Sequence, residues 1–262
     1  MANTELQKAA EWFKANKLTL NVKKTKYILF RNKANKIDFT NLKLDIGGEK
    51  IERIGNDCKD KFFKFVGYHL DEFLSWEHQI NHVHSKLSGS NYAIASVKNF
   101  APIKIRKTLY NSLFRSHLEF AILAFGGMSS NKLKRITLLQ KKCIRNVCGT
   151  GYLSHTEPLF FKMNILKVED LFAFNAAKLV FKLNNELLPE SFDNFLIPFS
   201  QPNRTNSYVL NKAKSDHLKQ FPTYILPIIW NNLNYKLKLE SKFSIFKKEL
   251  LNQLLAKYKP LT

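Results

Sequence analysis

Four kinds of side chain in this sequence could do chemistry: a group of histidines, three cysteines, a scatter of carboxylates and an excess of lysine and arginine. His78 and His82 are four apart and His84 follows. On a helix that spacing sets two imidazoles on one face, as metal ligands are often paired. No glutamate stands between them, as the zinc-protease pattern requires, so a small metal-dependent nuclease built on His78, His82 and His84 is a minor reading. Cys58, Cys143 and Cys148 are too few and too oddly spaced for a disulfide framework or a zinc finger, and Cys143 and Cys148 read as helix packing. There is no Gly-x-Ser-x-Gly elbow and no phosphate-loop spacing among the nine glycines. Two-metal phosphoryl transfer needs clustered acids. Here there is no Asp-Asp pair, and Glu169-Asp170 falls in the first turn of an expected helix, where acids suit the helix dipole. No catalytic residue and no metal site is therefore assigned.

The cations are what remain. Lysine and arginine number 42 against 21 acids, a net charge of +21. Such an excess points to a polyanionic partner, RNA, DNA or an RNA–DNA duplex, with an anionic membrane surface as the lesser alternative. One cluster, Lys23, Lys24 and Lys26, precedes an expected strand, where fixed positive charge at a sheet edge could meet phosphate. A second lies on an expected helix over 130–147: Lys132, Lys134, Arg135, Lys141, Lys142 and Arg145 surround an apolar stripe of Leu133, Ile136, Leu139, Cys143 and Val147. The first residues carry no secretory signal pattern and no window of about 18 apolar residues occurs, which predicts an intracellular protein of cytoplasm or nucleus with no membrane span.

The elements that would position these groups form an α+β chain. A helix is expected over 4–16 with Thr4 as cap, then a strand over 25–31 and a hairpin of 42–46 with 49–54 about Gly47-Gly48. An aromatic strand over 62–70 completes a small, partial antiparallel sheet within residues 1–72. Helical periodicity begins at Trp76 and runs over 76–99, 103–118, 130–147, 155–163, 168–185 and 240–257. Gly126-Gly127 breaks the chain, Gly149 and Gly151 end the basic helix, and 203–230 is poorly periodic. Three regions follow: 1–72, 73–150 and 151–262.

Within that frame several motifs resemble a known family. Trp12-Phe13, Asn16-Lys17-Leu18, Leu20-Asn21, Lys24-Thr25 and Phe30 resemble the segment after the catalytic Asp-Asp motif in reverse transcriptases of non-LTR retrotransposons, especially the jockey-like group. Phe65-Val66-Gly67-Tyr68 with Leu70-Asp71 looks like that family's primer-grip hairpin, with Val66 where Leu is usual. Leu74-Ser75-Trp76, Ile80 and Lys86-Leu87 are similar to the start of its thumb, with Gln79 where His is frequent. Leu109-Tyr110, Leu139-Gln140-Lys141, Ile144-Arg145, Gly149, Leu188-Pro189, Arg204-Thr205 and Trp230-Asn231 continue the likeness in order to the C-terminal end.

The resemblance implies a palm end over 1–72, a thumb-like region over 73–150 and a C-terminal helical region over 151–262. It implies that the metal-binding aspartates, and the Mg they hold in an intact enzyme, belong to a part preceding Trp12. This chain then supplies primer–template binding without polymerase activity of its own and needs no cofactor. Lys24 would lie near the incoming phosphates, Phe65, Gly67 and Tyr68 would hold the primer end, and Lys134, Arg135, Lys141, Lys142 and Arg145 would contact backbone phosphates. The alternative is a domesticated, non-enzymatic RNA- or protein-binding module.

Overall fold

The computed structural model describes residues 2–39, 42–192, 194–199, 207–210, 212–213 and 218–259. Arg204-Thr205 and Pro202 lie outside them. The described residues mix helix and sheet and are 56% helical. It divides into two compact units, Met1–Asn81 and His82–Thr262.

In the first unit, α1 (Ala2–Ala15) begins two residues before the expected cap at Thr4, and Asn3 ties it to the chain beyond by bonding Lys43 O and Asp45 N. No residue of α1 is buried, and Trp12 is 59% exposed. Among the described residues the expected single antiparallel sheet is instead three separate two-stranded ladders. β1 (Lys26–Ile28) pairs in parallel with β4 (Glu52–Ile54). β2 (Asp45–Ile46) and β3 (Glu49–Lys50) make the hairpin expected about Gly47-Gly48, both glycines having positive φ.

The expected strand over 62–70 is a second tight hairpin, β5 (Phe63–Phe65) with β6 (Tyr68–Leu70). Residue pattern alone read 62–70 as one strand, because Val66-Gly67 lacks the Asn or Asp that usually signals a turn, whereas the primer-grip resemblance expected a hairpin here.

What binds the first unit internally is a buried carboxylate. Glu72 is 1% exposed, and Arg31 reaches it at 3.2 Å while Asn56 N donates to it at 2.8 Å. Arg53 lies 3.6 Å away on the other side and packs over Phe39. A charge this deep persists only because partners surround it.

The boundary after Asn81 falls within α2 (Glu77–Ser96). The helix expected over 103–118 is α3 (Ile103–Leu109), a π-helical stretch (Tyr110–Arg115) and α4 (Ser116–Glu119) in succession. A short α5 (Ile122–Phe125) then occupies the stretch before Gly126-Gly127. The basic helix is α6 (Ser130–Cys148), closed by Gly149 at φ 74. α7 (Glu157–Met163) and α8 (Val168–Asn184) fall where periodicity placed them.

Two elements depart further from expectation. α9 (Pro222–Asn231) lies in the stretch read as poorly periodic, and α10 (Tyr235–Lys238) falls where no helix was expected, while α11 (Phe243–Ala256) lies within the helix expected over 240–257. α9 is apolar along most of its length and holds Pro227 inside it, so the sequence there does not read as a helix. Its Trp230 packs on Phe246 of α11, which packs in turn on Phe181 of α8. These three aromatics, each at most 1% exposed, are the centre of the core here.

Candidate nucleic-acid interface

α6 is amphipathic for a reason visible in its burial. Leu133, Ile136, Gln140, Cys143, Ile144 and Val147 face inward and leave the opposite face to cations. Gln140 interrupts the apolar stripe with both of its amide hydrogens and its oxygen hydrogen-bonded. Its amide nitrogen donates to the Tyr110 hydroxyl and to Leu166 O, and its oxygen accepts from Val168 N. The last bond satisfies an amide in the first turn of α8 that has no partner within its own helix. At the other end, Arg106 donates to Asn146 O and Lys98 O, so a cation meets the negative end of the α6 dipole.

The exposed side of α6 floors a groove of about 620 Å³, lined by His84, Arg135, Leu138, Leu139, Lys141, Lys142, Arg145, Tyr152 and Leu153. Arg135, Leu138, Lys142 and Arg145 repeat at three- and four-residue intervals, one stripe of the helix, with Lys141 beside it. Among the described residues the lining contains four basic side chains of Lys and Arg and no carboxylate. Four of the five α6 residues singled out from the sequence therefore share this groove, while exposed Lys134 is outside its lining. Sequence reading missed Tyr152 and Leu153, which follow the helix, and it considered His84 only in the minor metal-site reading. Desolvation, with the Arg135 charge second, lowers the His84 pKa, which favours the neutral imidazole. A second hollow of about 640 Å³ shares Lys141 and adds His155, Lys257 and Lys259 at its walls, together with the carboxylate of Glu157.

The histidines do not form a ligand set. His78 stacks on Phe62 at 4.6 Å, His84 belongs to the groove, and among the described residues no group of three His, Cys, Asp or Glu is placed to hold a metal ion. Cys143 is buried on α6, where burial raises its thiol pKa, and Cys148 is part-buried on the same helix. Among the described residues no helix is long and apolar enough to cross a membrane.

In the first unit, Phe65 and Tyr68 are directly paired and flank the turn, and Gly67 lies between them at φ 88. Val66 sits at φ 46 and is 75% exposed, an uncommon setting for a β-branched side chain. The buried Gln79 oxygen accepts from His69 N at 2.9 Å and so fixes the hairpin on the first turns of α2. Lys24 is exposed in a 3₁₀ turn, Val22–Lys24, that leads into a different ladder. Its neighbour Lys26 is neutralised by Asp60 and, at 3.2 Å, by Glu52. The lysine cluster therefore offers two cations, not three.

Compared with known proteins, the chain matches no family model, no curated protein and no solved structure.

Proposed function

We propose that this protein binds the sugar–phosphate backbone of nucleic acid through the α6 groove, and that it serves as the primer–template-binding part of a reverse transcriptase of the non-LTR type. The observation that carries the binding is the groove lining, with Arg135, Lys141, Lys142 and Arg145 facing one hollow and no acid among them. Lysine and arginine spaced along one helix face make phosphate contacts that position a polynucleotide without reading its bases. The net charge of +21 adds long-range attraction. The polymerase context rests on the ordered motifs alone, from Trp12-Phe13 to Trp230-Asn231. In that context Lys24 lies near the incoming nucleotide's phosphates, and the tip formed by Phe65, Gly67 and Tyr68 holds the primer end. Binding, not phosphoryl transfer, is assigned to this chain, whose sequence has no Asp-Asp pair.

The test is fluorescence anisotropy with a labelled RNA–DNA duplex over a series of salt concentrations. Four phosphate contacts predict a log–log slope of about −3 to −4. Replacing Lys141 and Lys142 together by alanine should bring the slope nearer zero by about two contacts' worth. Binding that is absent, or that ignores salt, overturns the proposal. In the domesticated protein-binding alternative, an acidic protein would occupy the groove and nucleic acid would not compete with it.

A further inference from the structure

We propose that the α6 groove takes a single strand, one base stacking on Tyr152 while neighbouring phosphates meet the α6 cations. The inference rests on the phosphate-binding reading above and names its substrate class. Ser154 N donates to Gly151 O at 3.2 Å, which closes a turn with Tyr152 and Leu153 at its two central positions. Their exposures are 77% and 88%, so both present large apolar surface to solvent at the edge of a cationic groove.

The turn is nevertheless held in place. Arg145 Nε donates to Ser154 O at 2.9 Å, and the same guanidinium lies 5.7 Å from the centre of the Tyr152 ring. One α6 side chain thus anchors the end of the turn and supports the ring beside the cation stripe. Leu138, 55% exposed within that stripe, supplies further apolar floor.

These features discriminate between kinds of polyanion. A duplex offers phosphates and hides its base faces, so the cations alone would suffice for it. An unpaired strand offers both, and its bases stack on any accessible aromatic face whatever their identity. A cationic row with a tethered, solvent-facing tyrosine at its end matches the second ligand.

The experiment compares a labelled single-stranded RNA of about 12 nucleotides with an RNA–DNA duplex of the same length, titrated with the full chain. Tyr152→Ala should weaken single-strand binding about tenfold or more, leave duplex binding within about twofold, and be rescued by Tyr152→Phe. Arg145→Lys keeps the charge but removes the Nε bond to Ser154, and should lose part of the single-strand preference. If Tyr152→Ala changes neither probe, or both equally, while the Lys141/Lys142 double variant weakens both, the single-strand inference falls and the phosphate reading stands. If the wild-type chain binds neither probe in a salt-dependent way, both fall. Polyglutamate binding as tight as the strand and insensitive to Tyr152→Ala also overturns the inference.

Discussion

The side-chain amide of Gln140 donates to the hydroxyl of Tyr110 at 3.0 Å, and neither residue is more than 1% exposed. The same amide bridges to Leu166 O and Val168 N, so one polar side chain joins α6 to the π-helical stretch and to the start of α8. Gln140→Leu keeps the volume and strands three buried groups. Unsatisfied buried groups cost about 1–3 kcal/mol each, so a loss on the order of 3 kcal/mol is expected in urea unfolding. Tyr110→Phe removes one of the three bonds and should cost about 1 kcal/mol. A Gln140→Leu protein within about 0.5 kcal/mol of wild type would show that this junction contributes nothing.

Gly149 closes α6 at φ 74, where a Cβ would meet Arg106 Nη1 at 3.1 Å. Gly149→Ala therefore strains the backbone and presses on the arginine that caps the helix. A loss of about 1–2 kcal/mol is expected. Gly151, which sequence reading also made a helix stop, has only Ser154 Oγ near its missing Cβ, at 3.9 Å. Gly151→Ala should stay within about 0.5 kcal/mol. Equal midpoints for the two variants in chemical unfolding would contradict this account of the cap.

The difference between these glycines shows which parts of the structure were legible in the sequence. The basic helix was legible because Leu133, Ile136, Cys143 and Val147 repeat at helical spacing against a cationic face. Gln140 was visible as part of a motif, but its partners are 26 to 30 residues away and nothing local announces them. α9 was missed because it is apolar along most of its length and carries Pro227, a residue that usually breaks a helix, inside it. The sheet was misjudged because β4 leaves the hairpin after two residues of β3 and pairs in parallel with β1, a choice made by long-range packing. Tyr152 and Leu153 gave no signal of function, since a turn's exposure depends on how Arg145 holds it.

Val66 occupies the left-handed region at φ 46 in the hairpin tip, next to Gly67 at φ 88. A β-branched residue there is strained, and asparagine is the usual non-glycine occupant. Val66→Asn should stabilise the hairpin by about 0.5–1 kcal/mol, seen as slower hydrogen exchange of the Phe65 and Tyr68 amides. Gly67→Ala should do the reverse. Unchanged exchange in both variants would mean that the turn conformation is not what limits hairpin opening.

His84 gives the groove a dependence on pH. Desolvation and the neighbouring Arg135 lower its pKa from the ordinary 6.5, and Lys141, Lys142 and Arg145 line the same hollow. In the free protein the imidazole is therefore mostly neutral at pH 7. A bound polyanion favours the imidazolium and raises that pKa, so binding takes up a proton. By linkage, affinity is lowest above the bound-state pKa, rises as pH falls through it, and levels off below the free-state pKa. Each unit of difference between the two is worth about 1.36 kcal/mol, or tenfold. The gain on acidification should thus be several-fold, and His84→Gln should abolish it while leaving affinity near pH 8 almost unchanged. Anisotropy titrations from about pH 8 to pH 5 at fixed salt measure it, a span chosen to bracket the histidine range. A His84→Gln profile as steep as that of wild type would place the proton elsewhere, and His155 in the adjoining hollow would be the next group to test.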